Sequence, residues 1–312
     1  MSQLYYLNTE KEKKDVLEKM KTNGFFQLEK AENELVIGKT LWFIDDLNEP
    51  NVLISIKING VFKIYANEQF DKIKLVLDSI NWKRGFLLQN FKNENIDDFK
   101  SILKFRKKYN TIQNNLSEKI ENIYFGDVKD NKLIEILQNS LKSRGFKTNS
   151  GEKMSEYIIK LENIDEKISK LEEIIDENVV LLTLNDIDFV YKFKNYKAEF
   201  TYDELKWSIE SGFSYGYRIK KLDDCCENIL ASWCVMRSDG QTGNFHTLDR
   251  FKGTGFSNQV KAKLIICLLK NNITPICHVY DKNNSRNLKN LKLGYSKTIG
   301  VKFIDAIHNQ SD

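Results

Sequence analysis

In the second half of the chain, apolar and polar positions fall into short runs broken by turn residues. Val179–Leu184, Phe213–Ile219, Ile229–Arg237 and Thr242–Leu248 read as strands, rich in β-branched and aromatic side chains. Ser238-Asp239-Gly240 turns the third of these into the fourth. After the first strand, Asn185 is placed to cap a helix whose first turn carries Asp186 and Asp188. Thr201 opens another helix, with Glu204 at capping-box spacing. Phe256, Val260, Leu264 and Leu268 recur at helical spacing, and Pro275 starts the strand ICHVY. A polar helix pattern follows from about Asn283, and Leu293-Gly294-Tyr295 leads into final strands near Lys297–Ile304. The predicted order is β-α-α-β-β-β-loop-α-β-α-β.

The first half predicts a mixed α and β pattern. Leu41–Ile44, Val52–Ile58 and Val61–Tyr65 read as strands, with Asn59-Gly60 as a hairpin turn. Phe70, Ile73, Val76, Leu77 and Ile80 predict a helix, and Gly85–Phe91 a strand. Ile96, Phe99, Ile102 and Leu103 mark another helix; Leu133, Ile136, Leu137 and Leu141 mark a third. Gly151–Asn178 is rich in Glu and Lys, with a stripe of Ile168, Leu171, Ile174 and Ile175, and reads as the connection between halves. A chain of 312 residues is long for one core, so two domains are expected, at 1–172 and 173–312.

Charge adds little. The chain carries 48 basic and 44 acidic side chains, interspersed, for a net charge of +4. That balance gives no reason to expect nucleic acid as a partner. No run approaches the length of a membrane helix, and MSQLYYLNTEKEKKD shows no secretory pattern, so no membrane partner is expected. Cys225, Cys226, Cys234, Cys267 and Cys277 form no C-x-x-C pair and lie mostly in apolar runs, which suits reduced core thiols. The expected compartment is the cytoplasm, with a mitochondrial location left open. His246 and His278 have no third ligand at suitable spacing, so no metal is expected.

The stretch TLDRFKGTGFSNQV carries the candidate chemistry. Gly253 and Gly255 lie between a strand and a helix N-terminus. Glycine permits positive φ and close approach of a ligand to the backbone. The first helical turn exposes unpaired N–H groups backed by the helix dipole. Together these form an anion site, with Arg250 and Lys252 adding charge at the rim. No G-K-[ST] follows, so it is not a Walker loop, and the surrounding order does not suit a dinucleotide fingerprint.

Arg250, Gly253 and Gly255 occupy the places of an R-x-x-G-x-G motif. The pieces LNDIDFV, SGFSYGY, ILASWCV, TGNFHTL, RFKGTGF and ICHVYDKNN follow in order around it. In this the chain resembles the GNAT superfamily of acyl-CoA N-acyltransferases, and more closely its glycine N-acyltransferase-like branch, over about residues 178–304. The resemblance implies an α/β (α+β) fold: a mixed, mostly antiparallel sheet with flanking helices, preceded by a degenerate GNAT-like domain. It implies transfer of an acetyl or longer acyl group from acyl-CoA to a small-molecule amine, an amino acid such as glycine among the candidates. The strands matching Thr242–Leu248 and Pro275–Tyr280 would part and admit pantetheine, as an added strand would enter. The pyrophosphate would rest on residues 251–256. The implied CoA contacts are Phe245, Thr247, Arg250, Phe251, Lys252, Gly253, Thr254, Gly255, Phe256 and Asn283. A main-chain N–H near Phe245 or Thr247 would polarise the thioester carbonyl.

The match departs in places. The segment from Thr247 to Arg250 is shorter than the family's T-L-P-x-x-R and lacks its proline. Asn244 stands where some glycine N-acyltransferases carry a base glutamate. Asn290 or a neighbour stands where many GNAT enzymes have a general-acid tyrosine, and either Asn283 with Arg286 or Asn284 with Ser285 occupies the N-x-x-S region. His246 is the substitute base, since an imidazole suits proton transfer near neutrality, although strand alternation leaves its direction open. His278, Tyr280 and Ser285 are further proton partners. The alternative function is an acyl-CoA-binding protein with weak or absent catalysis.

Overall fold

The structure is a computed structural model that describes residues 5–23, 25, 28–38, 40–57, 62–66, 80–81, 87–88, 123–125, 131–143, 146–150, 154–193, 202–219, 229–238 and 240–308. The chain divides into two compact units. One holds Met1–Leu28, Thr40–Glu152 and Val301–Asp312; the other holds Glu29–Lys39 and Lys153–Gly300.

The first unit opens with β1 (Tyr5–Leu7) and α1 (Glu10–Thr22). Thr9 and Glu12 form a reciprocal capping box at the start of α1, and Val16, Leu17 and Met20 turn its buried face inward. After α2 (Glu29–Ile37), which belongs to the second unit, come β2 (Thr40–Ile44), β3 (Val52–Lys57) and β4 (Phe62–Ala66). β1 to β4 are antiparallel neighbours in that order. The short strands β5 (Ile80–Asn81) and β6 (Leu87–Leu88) pair with each other. β7 (Ile123–Phe125) lies parallel to β4, and α3 (Asn131–Lys142) and β8 (Phe146–Ser150) follow. Residues 302–308 close the ladder, antiparallel to β7 and then to β8. The Asn59-Gly60 turn and the helix expected around 96–103 lie outside the described residues. So does the helix expected around 70–80, except that Ile80 falls in β5.

The second unit contains β9 (Met154–Ile158), α4 (Ile164–Glu172), β10 (Val179–Leu181), α5 (Ile187–Lys192), α6 (Tyr202–Glu210), β11 (Ser214–Ile219), β12 (Ile229–Met236) and β13 (Thr242–Thr247). These are followed by α7 (Phe256–Lys270), β14 (Ile276–Tyr280), α8 (Asn284–Lys292) and β15 (Ser296–His308). From β10 onward this is the predicted order. β10 to β13 form an antiparallel sheet, and β14 pairs antiparallel with β9. The fold is thus a mixed α/β arrangement of antiparallel sheets flanked by helices.

Side chains along β12 go to opposite sides. Cys234 and Met236 join a cluster with Val260, Leu264 and Leu268 of α7, while Trp233 and Val235 join Ile187, Val190 and Leu205 of α5 and α6. Two local expectations change. The segment Lys153–Glu172, expected with the first half, clusters with the second unit, because Ile168 and Leu171 of α4 pack with Ile265, Ile266 and Leu269. The helix start near residue 185 is capped by Thr183, paired reciprocally with Asp186, rather than by Asn185. Among the described residues no helix is long and apolar enough to cross a membrane.

Candidate functional site

β13 and β14 start side by side. Gln241 and Ile276 form an isolated parallel bridge, and the Thr242 hydroxyl donates to the Ile276 carbonyl at 3.2 Å. Beyond that point each strand pairs elsewhere, β13 with β12 and β14 with β9. The two strands therefore part, and β13 presents an unpaired edge. A bulge in β13 accompanies the parting: the register with β12 shifts between Trp233 and Val235, and Asn244 takes φ +46°. Asparagine tolerates this left-handed conformation better than most residues. A bulge bends its strand and re-aims side chains.

A cavity of about 410 Å³ lies in the parting. Thr242 to Phe245 form one wall and Cys277 to Tyr280 the other, with Asn283, Ser285, Arg286 and Lys289 from the start of α8 and Lys261 from α7. Among the described residues its lining has three strong cations and no carboxylate. Lys261 is buried, its ammonium donating to Asn290 Oδ1 at 2.6 Å and lying 3.5 Å from Cys277 Sγ. Burial pulls its pKa down to about 8. The Arg286 guanidinium covers the Phe245 ring at 4.3 Å, and Lys261 approaches the same ring at 4.8 Å. Burial also lowers the Arg286 pKa.

The glycine loop follows β13. Residues 249–251 form a 3₁₀ turn, and Gly253 and Gly255 take φ +90° and +88°, values that favour glycine. A side-chain carbon at either position would point into open space. Gly255 caps α7, and among the described residues the N–H groups of Gly253, Gly255, Phe256 and Ser257 meet no acceptor in the protein. Phe256 stacks on Tyr217 at 3.8 Å, and the Tyr217 hydroxyl donates to Asp176 at 2.7 Å.

The predicted residues separate into groups. Phe245, Asn283, Tyr280 and Ser285 line the cavity. The Asn283 side chain caps α8, accepting from the Arg286 N–H at 3.1 Å. Arg250, Phe251, Lys252, Gly253, Thr254, Gly255 and Phe256 form the loop, where Lys252 is paired with Asp249 at 2.6 Å and the Arg250 guanidinium lies over Phe251. The Thr247 hydroxyl shares a hydrogen bond with Ser232 at 2.8 Å. His246 lies outside the cavity lining: it stacks on Trp233 at 4.7 Å and beside Phe193 at 5.0 Å, and burial lowers its pKa. His278 touches the cavity, but its Nε2 is committed to Glu156 at 3.0 Å, and Glu156 also pairs with Lys30. Asn290 is fully buried against Lys261 and Cys277. Sequence reasoning missed Lys261 and Lys289. For Lys261 the available signal is its neighbours, since Val260, Ala262, Leu264 and Ile265 around it in the helix are all buried.

Residues 224–303 match the family model described as FR47-like protein. No curated protein matches the chain. Among solved structures, a Drosophila malonogaster protein is 13% identical, with 98% of this chain and 99% of that one covered at a TM-score of 0.66. An acetyltransferase from the GNAT family from Colwellia psychrerythraea is 9% identical over 98% of this chain and 99% of its own, at 0.45. A GCN5-related N-acetyltransferase-like protein from Streptococcus suis is 11% identical over 87% and 92%, also at 0.45.

Proposed function

We propose that the second unit is a GNAT-type N-acyltransferase that uses acyl-CoA as its donor. The observation that carries this reading is the parted pair β13 and β14, which runs out into a glycine loop with four N–H groups lacking acceptors. The FR47-like match spans the same stretch, from the approach to β12 into β15. By the same reading, the first unit is a degenerate relative of the second.

The residues fit the donor in part. Unpaired N–H groups beside open space at Gly253 and Gly255 suit a diphosphate. The free edge of β13 suits the amides of a pantetheine arm. Arg286, lying across Phe245, narrows the slot. In the reaction, the amine nitrogen bonds to the thioester carbonyl carbon and the C–S bond breaks. The nitrogen loses a proton and the departing thiolate gains one. A β13 N–H near Phe245 or Thr247 would stabilise the transient oxyanion, a contribution of roughly 3 kcal/mol. We assign proton transfer to Tyr280 and Ser285, which line the cavity, ahead of His246, which is stacked across the sheet. Amines are the acceptor class, with an amino acid such as glycine a specific candidate.

A second reading is binding without turnover. Asn244 and Asn290 favour it, since neither carries a useful proton and Asn290 is occupied by Lys261. Thiol release across a panel of acyl-CoAs and amines, alongside calorimetry with CoA, decides between the two. Turnover is expected. Tight CoA binding with no turnover supports the second reading, and absence of both overturns the first and the second.

A further inference from the structure

Acyl transfer leaves the charge in the cleft unexplained. A pantetheine arm and an acetyl group are neutral, yet the cavity presents Lys261, Arg286 and Lys289 without a carboxylate. Among the described residues none of the three forms an ion pair. Lys261 and Arg286 both face the ring of Phe245, and the Arg286 charge disfavours the charged form of Lys261. Lys261 is fixed in place by Asn290. At the bulge, Asn244 lines the same cavity, and its buried Nδ2 has no acceptor among the described residues. Buried donors without partners are rare, so the Asn244 amide beside three cations that form no ion pair points to a missing acceptor.

We propose that the cleft between β13 and β14 receives a carboxylate carried by a substrate, held by Arg286, Lys261 and the Asn244 amide. A carboxylate offers two oxygens and about four lone-pair positions, which match a guanidinium fork, an ammonium and an amide N–H. The carrier is the acyl group of the donor, as in a dicarboxylic acid monothioester. Phe245, which lines the cleft, packs against the same cluster as Phe251 and Phe256 of the glycine loop. Only this identification of the carrier rests on the acyl-transfer reading.

The test is calorimetry on the full chain with CoA, butyryl-CoA and succinyl-CoA, the last two differing by a terminal carboxylate. Succinyl-CoA is expected to bind about tenfold or more tightly than butyryl-CoA. In Arg286→Gln that preference falls to near unity. Arg286→Lys, which keeps the charge and loses the fork, falls between and serves if the glutamine variant does not fold. A parallel arm compares glycine with glycinamide in the presence of CoA. An Arg286-dependent preference there, and not among the thioesters, assigns the carboxylate to the acceptor. No carboxylate preference in either arm, or one unchanged in both Arg286 variants, overturns the proposal and leaves acyl transfer standing. If CoA fails to bind but free succinate binds through Arg286, acyl transfer fails alone. If nothing binds, both fail.

Discussion

Gly253→Asp places a carboxylate where the glycine loop is proposed to hold a diphosphate. Gly253 sits at φ +90°, and nothing lies within 4 Å of the side-chain carbon it lacks. Two costs follow, and they are read by different measurements. The left-handed backbone costs a non-glycine residue about 1–2 kcal/mol, which lowers the stability of the free and loaded protein alike. The negative charge acts on binding alone. At about 5 Å from a phosphate it costs about 1–3 kcal/mol, according to how far water screens it, which is roughly tenfold to a hundredfold in affinity. Lys252 is the comparison. Its side chain is 68% exposed and already paired with Asp249, itself 90% exposed, so Lys252→Ala is expected to weaken binding by about twofold at most. Gly253→Ala carries the strain without the charge: its melting temperature drops by a few degrees, about 2–4 °C, and its affinity stays near that of the parent. Calorimetry with CoA at one fixed ionic strength measures all three. Equal losses in Gly253→Asp and Lys252→Ala would refute the geometry, because the loop backbone would then matter no more than an exposed ammonium.

Glu156→Gln removes the carboxylate shared by Lys30 and His278, and urea unfolding should show a loss of about 3–5 kcal/mol at neutral pH. Burial pushes this carboxyl's pKa up, but Lys30 and His278 outweigh that effect and hold it well below the usual range. Its folded pKa is therefore depressed, so its contribution is present above the unfolded value, about 4.3, and fades as pH falls below it. The gap between parent and variant should stay constant from pH 7 to about 5 and shrink at lower pH. His246→Phe keeps the stack on Trp233 and should leave turnover within about threefold, whereas a loss beyond about a hundredfold with the fold intact would mark a general base. Asn33→Ala deletes two hydrogen bonds, Nδ2 to the Thr274 carbonyl and the Thr274 N–H to Oδ1, both at 2.8 Å. Chemical denaturation should register about 2 kcal/mol, since two backbone groups are left buried and unpaired.

Local chemistry decided what was legible beforehand. The glycine loop could be read because positive φ and an exposed helix start leave a signature within a few residues, and the structure has Gly253 and Gly255 in that conformation. Element order from β10 to β15 could be read because runs such as ILASWCV carry strand character in themselves. Met154–Ile158 could not. MSEYI sits in a Glu- and Lys-rich stretch and pairs with β14, far away in sequence, while its central glutamate is buried against Lys30 and His278. The cationic cleft was hidden for the same reason. Lys261, Arg286 and Lys289 are spread over two helices, and only folding brings Lys261 and Arg286 to Phe245 and all three into one cavity.

The interleaving of the two units bears on how the polypeptide is made. Residues 29–39 leave the ribosome early but belong with a partner segment that ends at residue 300, and Asn33 waits for Thr274, 241 positions later. The first unit in turn lacks its closing strand until residues 302–308 emerge. Neither unit can therefore finish before about residue 300 has emerged, and the usual N-to-C order of domain maturation does not apply. Cutting the gene at either candidate border, after residue 152 or after 172, would yield two incomplete fragments instead of two autonomous proteins.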